Sequence, residues 1–334
     1  MLQGKSNATT GLVFDSDRWE GILVAARREG RVVAYANSVE QVNARLRADF
    51  QDLHPHIELD LRRVFGRPIL DKLEAERDTH ADGADVAITE LIPWLEARAQ
   101  EGALKRPCGP AVSEWPAHYL LHDSVPVLAL DMFVIAYNRN LVVEPIAGYR
   151  DFLRPALKGR FSAPVLSSTA EVAWYHWLAE TEGEEFLARF AAQAPRQGWK
   201  LGALPATRAV AEGELAATPF SLLPIARPMQ DAGAPIEIVV PKPSMGLRFS
   251  AGVPRWSHRP NAGLVFLDYL MSRRGQAAWC GKGRLATSAS PLEDISGPLD
   301  AATINAYDAA RFTPQVVREY RAKWEALFGT YPEH

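Results

Sequence analysis

Apolar positions recur along this chain at two spacings, and their alternation predicts its architecture. Arg31 to Ala36 (RVVAYA) reads as a buried strand that stops at Asn37-Ser38. Val39, Val42, Leu46 and Phe50 then mark one face of a helix, and Ile57 to Leu61 alternates like a second strand. Gly66-Arg67-Pro68 opens another helix, with proline where a missing N–H costs nothing. Asp85 to Ile88 is a third strand, ending at Thr89-Glu90 before a helix over Trp94 to Gln100. A short helix from Trp19 to Glu29 precedes this series, and residues 1–17 read as a poorly ordered tail. The order βαβαβα predicts an α/β fold with a mostly parallel sheet flanked by helices. Ligands of such sheets sit outside the carboxyl ends of the strands, which makes Asn37, Ser38, Arg67 and Thr89 candidate contacts.

Farther along, Val127 to Tyr137 is a long apolar strand that leaves this first region. Tyr149 to Leu166 supplies a short helix and then a strand, Phe161 to Leu166. The small-residue turn Ser167-Ser168-Thr169 follows and enters a helix carrying Trp174, Tyr175 and Trp177. Backbone N–H groups and a positive dipole end at such a turn suit an anion. Ser168-x-x-Glu171 is equally a capping box, which satisfies the helix end without a ligand. Trp174 or Tyr175 is a candidate wall for a ligand, and core packing is the plainer reading of both. Glu184 to Gln193 is a helix, and another begins at Leu204 to Thr207 and reaches about Glu214. Arg67 and Arg208 each stand at a predicted helix start, as solvated surface groups or as forks aimed at a carboxylate. Thr218 at a strand end and Ser221 beyond it are weaker candidates. Ile236 to Val240 is a late strand returning to the first region, Asn261 to Trp279 a long helix, and Pro314 to Phe328 a terminal one.

Composition narrows the functional classes. The chain has 334 residues, enough for about two domains. A net charge of −3 lacks the basic surplus of a general nucleic-acid binder. No run reaches the apolar length of a membrane span, and no export signal opens the chain. Cys108 and Cys280 have no metal spacing and read as isolated thiols, with a pairing open to them only in an oxidising compartment. His54-Pro55-His56 spoils shared helical geometry, and His118 with His122 has the spacing of two ligands but prolines around it, so no metal site is expected. Gly281-Lys282-Gly283 is a helix end and loop, and no phosphate loop, dinucleotide fingerprint, zinc-protease motif or nucleophile elbow occurs. No catalytic residue and no cofactor is expected.

The order of these pieces resembles the substrate-binding proteins of bacterial ABC importers, in particular the ferric-iron-binding and related type II periplasmic binding proteins (the family 1 extracellular solute-binding group). The resemblance rests on GRVVAYANSVEQVNARLRADFQDLHPHIELDL, DVAITE, MFVIAYNRNLV, PIAGYRDFLRPALKGRFSAP, AVAEGELAA, GAPIEIVVP and NAGLVFLDYLMSRRGQAAW, spanning nearly all of residues 30–290. It implies two α/β lobes, the first from residues 1–130 plus 243–334 and the second from 131–242, with a ligand cleft between them and hinge closure. Ferric-binding members carry a tandem tyrosine shortly after a Gly-Glu motif. Here Gly213-Glu214 is followed by Ser221-Leu222-Leu223-Pro224, whose side chains do not ligate iron as phenolates do. Members without those tyrosines tend to bind small anionic organic molecules. The resemblance therefore implies a monomeric extracytoplasmic receptor for a carboxylate or phosphonate, partnered with a membrane permease. Ser167, Ser168 and Thr169 match the family's hydroxyl-rich anion loop, and Asn37 and Ser38 its first-lobe loop. Two alternatives stand: a receptor for ferric iron or an iron chelate, and an enzyme on the same fold, for which Glu90 and Glu40 are the nearby acids.

Overall fold

A computed structural model describes residues 12–329 except 65, 165, 167, 168, 195–201, 293, 294, 296, 298, 307, 309 and 310. The chain divides into two compact units, residues 1–130 with 248–301 and residues 131–247 with 302–334. The sequence reading carried all of 243–334 back to the first lobe, whereas 302–334 cluster here with the second unit.

The first unit opens with α1 (Ser16–Glu29), whose N-terminus is capped by the Asp15 carboxylate accepting the Arg18 N–H at 3.0 Å. In strict alternation follow β1 (Arg31–Ala36), α2 (Glu40–Leu53), β2 (Glu58–Arg63), α3 (Pro68–Thr79), β3 (Val86–Thr89) and α4 (Ile92–Gln100). Two short strands, β4 (Leu104–Lys105) and β5 (Leu120–Leu121), precede β6 (Val125–Asn138), which runs on into the second unit. There the elements are α5 (Thr169–Glu182), α6 (Glu184–Gln193), α7 (Ala203–Ala211), β7 (Ala217–Leu222), α8 (Leu223–Asp231) and β8 (Ile236–Val239). The strand β9 (Ser244–Pro254) leads back, followed by α9 (Pro260–Met271) and α10 (Arg273–Cys280). Finally β10 (Ile304–Ala306) and α11 (Pro314–Phe328) belong to the second unit.

In the first unit β1 pairs in parallel with β2 and β3, and β3 pairs antiparallel with β9. Val33, Tyr35 and Ala87 pack with Ile69 and Leu73 of α3 and Leu95 of α4. Phe50 of α2 meets Phe266 and Tyr269 of α9 edge-on at 5.1 and 5.3 Å. Burying each such side chain contributes roughly 1.5–3 kcal/mol. Asp85 is fully buried and ties three segments together. It accepts the Val33 N–H at 2.8 Å, the Ser257 hydroxyl at 2.7 Å and Arg259 Nε at 2.8 Å.

In the second unit β6 pairs antiparallel with β7 and β8, while β10 pairs in parallel with the start of β9. The aromatic core joins Tyr149, Phe152 and Phe161 to Trp174 of α5, Phe190 of α6 and Phe220 of β7, and α11 adds Phe328, 5.5 Å from the Tyr175 ring.

Several predicted elements differ. Phe161 makes only an isolated parallel bridge to Ala217, so the strand expected over 161–166 is absent among the described residues. Ala217 and Thr218 begin β7 and do not end a strand. The expected return strand, β8, stays in the second unit, and β9 makes the return. The long helix over 261–279 breaks at Ser272, whose backbone turns extended (ψ 156°) while its hydroxyl accepts the Gly275 N–H at 3.1 Å and caps α10. Cys108 and Cys280 are not joined in a disulfide. No described helix is long and apolar enough to cross a membrane.

Candidate functional site

In the first unit, β1 and β3 end side by side. Asn37 prolongs their ladder, its N–H donating to Ile88 O at 3.2 Å, and Thr89 stands opposite Ser250 on β9. Residues paired across strands share a face. Asn37, Thr89 and Ser250 thus form a polar row directly beyond the row of Tyr35, Ala87 and Gly252.

The hydrogen bonds of this row are incomplete. Asn37 Nδ2 donates to Glu90 Oε2 at 2.6 Å, and the Thr89 hydroxyl donates to the same oxygen at 3.4 Å. Thr89 Oγ1 also accepts the Leu91 N–H at 3.1 Å. The Ser38 hydroxyl donates to Asn43 Oδ1, and Arg63 Nε donates to Ser38 O at 3.1 Å. Asn37 Oδ1, Asn43 Nδ2 and Ser250 Oγ are buried with no hydrogen-bond partner. Asn43 and Ser250 are completely buried. Each unpaired buried polar atom costs about 1–3 kcal/mol. One row deeper the polar groups are paired: the Tyr35 hydroxyl donates to Glu76 Oε1 at 2.6 Å, and Glu76 Oε2 accepts the Ala84 N–H at 3.0 Å. Unpaired buried atoms occur elsewhere in this unit too, on Arg31, Arg98 and Trp256, but those of Asn37 and Ser250 lie in this row, where a ligand is expected on topology, and that of Asn43 lies beside it through Ser38. Burial raises the Glu90 carboxyl above its ordinary value, opposed by the hydrogen bond from Asn37.

Arg67 is exposed at the start of α3, its Nε 3.6 Å from Asp71 on the same helix, and contacts none of these groups among the described residues. Glu40 is also exposed, 3.9 Å from Arg47. His122 lies 3.4 Å from Glu96, and the described residues hold no group of three or more potential metal ligands.

In the second unit, Ser167 and Ser168 lie outside the described residues, and Thr169 is the first residue of α5. The capping box expected at Ser168 is likewise outside them. Trp174 and Tyr175 are core residues. Trp174 Nε1 donates to the Tyr149 hydroxyl at 3.3 Å, and the Tyr175 hydroxyl donates to Pro164 O at 3.0 Å. Burial pushes the Tyr175 hydroxyl far above the ordinary tyrosine range. Thr218 and Ser221 are completely buried and answered internally, by Ser162 at 2.7 Å and Thr207 at 2.6 Å. Arg208 does not stand at a helix start. It occupies the last turn of α7, exposed, where its charge complements the dipole.

Sequence reasoning missed Asn43 and Ser250. Asn43 had a signal, since it continues the apolar face of Val39, Val42 and Leu46 as an uncharged polar residue. Ser250 sits on the polar side of the alternation from Met245 to Val253, which was not read as a strand.

The family model for bacterial extracellular solute-binding proteins matches residues 32–284, and the chain belongs to that family. Among solved structures it is similar to the substrate-binding protein of an ABC transporter from Agrobacterium tumefaciens. The identity is 18%, over 91% of this chain and 97% of that one, with a TM-score of 0.76. The periplasmic binding protein AfuA of Actinobacillus pleuropneumoniae, bound to fructose-6-phosphate, is 16% identical over 90% and 99%, with a TM-score of 0.65. Iron-bound HitA of Pseudomonas aeruginosa is 17% identical over 89% and 98%, also at 0.65. These likenesses identify the periplasmic-binding-protein fold. Comparison with curated protein sequences gives no match.

Proposed function

We propose that this chain is the periplasmic receptor of an ABC importer and binds a small anionic organic molecule of the carboxylate or phosphonate type. The observation that carries the reading is the set of unpaired buried atoms of Asn37, Asn43 and Ser250 at and beside the strand ends. Asn37, Ser38 and Thr89 form the first unit's contact surface in this reading, with Arg67 at its margin. Ser167, Ser168 and Thr169 are the second unit's candidates in this reading, with Thr218 and Ser221 weaker ones. Trp174 and Tyr175 pack in that unit's core, and Arg208 is exposed. Closure on the ligand shifts the population toward the form that a membrane permease recognises. The family match supports a solute receptor, and the sugar phosphate held by AfuA supports an acid group.

A second reading, a ferric chelate, is favoured by Glu90, an acid within the same group, and by the iron in HitA. Calorimetry against citrate, glycerol 3-phosphate, ferric citrate, spermidine and glucose separates them. Binding of citrate or glycerol 3-phosphate without iron supports the first reading. Binding of ferric citrate alone supports the second. Binding only of spermidine or glucose overturns both.

A further inference from the structure

Among the described residues, Arg248 is a fixed charge next to the polar row that no carboxylate answers. It lies two residues before Ser250 on β9, so its side chain leaves the same face about 7 Å farther along. Because β9 is antiparallel to β3 and Ser250 pairs with Thr89, the last residue of β3, Arg248 lies beyond that strand's carboxyl end. It is half-buried, and its Nε is buried without a partner. Among the described residues no carboxylate pairs with it, although its charge reaches Tyr119 and draws that hydroxyl down against the upward push of burial.

Arg31 and Arg98 also leave Nε buried and unpaired, but their terminal nitrogens meet carboxylates, and other arginines of this unit, exposed Arg63 among them, are answered too. Arg259 is held by Asp82 and Asp85, Arg98 by Glu74 and Glu101, Arg45 by the Ala278 and Trp279 carbonyls, and Arg63 by Ser38 O. A guanidinium that gives up water without gaining an acceptor is unfavourable, and its planar fork matches carboxylate or phosphate oxygens. Asn37 adds a second requirement. Its Nδ2 donates to Glu90 in this structure, which leaves Oδ1 as the unpaired atom, and that atom only accepts. Ser250 Oγ can donate to an acid oxygen.

We infer that Arg248 is the charged anchor of the site, and that with Ser250 and Asn37 it selects an acid that also bears a hydroxyl. The acid group sits on Arg248 and Ser250, and the hydroxyl donates to Asn37 Oδ1. The inference rests on the receptor reading above.

The test uses two matched pairs of probes, citrate with tricarballylate and glycerol 3-phosphate with propyl phosphate, each pair differing by hydroxyl groups. Calorimetry of the full chain is expected to show at least one hydroxylated acid binding about tenfold or more tighter than its partner. Arg248→Gln is expected to weaken that acid about 10- to 100-fold, with Arg248→Lys recovering part of the loss. Asn37→Ala is expected to erase the difference within the pair. Melting of the ligand-free variants controls for folding. Arg248→Gln is expected to melt no lower than the parent, since it removes a half-buried charge that no carboxylate pairs among the described residues, and a lower melting point would assign Arg248 a structural role and overturn the anchor. Undiminished acid binding by a folded Arg248→Gln overturns the anchor while leaving the receptor reading intact. Equal binding within both pairs overturns the hydroxyl requirement. Failure of the parent protein to bind any of the four acids overturns the inference and the anionic reading together.

Discussion

Asp268 on α9 accepts the Ala111 N–H at 2.9 Å, yet burial pushes its carboxyl up from 3.8 to about 7. A carboxyl whose folded value exceeds its unfolded one favours the fold while protonated. Stability is lost as pH rises from about 4 through about 7. Asp268→Asn keeps the acceptor and removes the charge. It is expected to raise the melting point at pH 8, by up to about 4 kcal/mol in stability, with no gain at pH 4. A scan of melting temperature against pH for both proteins checks this. Trp174 is completely buried against Tyr149, Tyr175 and Phe220. Trp174→Ala is expected to cost about 3–5 kcal/mol in denaturant melts, as a core residue does. Asn37 and Thr89 were legible in the sequence because hydroxyl and amide residues ending an apolar run mark a strand's carboxyl end. Trp174 and Tyr175 were ambiguous because aromatic rings with one polar atom suit a core and a ligand wall equally. The hydrogen bonds to Tyr149 and Pro164 resolve them.

The elements of the first unit were legible to within a few residues, since β1, α2, β2 and β3 each carry an unbroken period. β9 was not. Its sequence SMGLRFSAGVP does alternate, with Met245, Leu247, Phe249, Ala251 and Val253 at every second place, but two glycines and an arginine fill the other face and read as a loop. The fold explains both glycines. A Cβ on Gly246 would stand 2.6 Å from Asp131 O, and one on Gly252 would stand 2.9 Å from a Leu104 methyl. Close packing thus removes the side chains that would have announced a strand. The break between α9 and α10 was hidden for a different reason, because Ser272 interrupts the helix without interrupting its apolar face. Ser272→Ala is expected to destabilise the first unit by about 1 kcal/mol through loss of the α10 cap, measured by urea unfolding. Asp85→Ala is expected to cost more, about 3–5 kcal/mol, because it strands the Arg259 guanidinium and the Val33 N–H.

At the scale of the whole molecule, the order of elements carried the family, and the match over residues 32–284 agrees with it. In the proposed site, ligand choice is a matter of a few atoms at the ends of β1 and β3 and on β9, and no periodicity records those. A receptor that captures its ligand by closure is expected to contract. Small-angle scattering should give a smaller radius of gyration with saturating ligand than without, at the mass of a monomer in both states. Saturation at one hundred times the dissociation constant is expected to add about 2.7 kcal/mol of stability. The measurement that bears most directly on the central claim is native mass spectrometry of the chain purified from its native source, before and after denaturation. The account predicts a small organic acid released on unfolding, one mass per chain. Release of iron, or of a cationic or neutral molecule in its place, would contradict it.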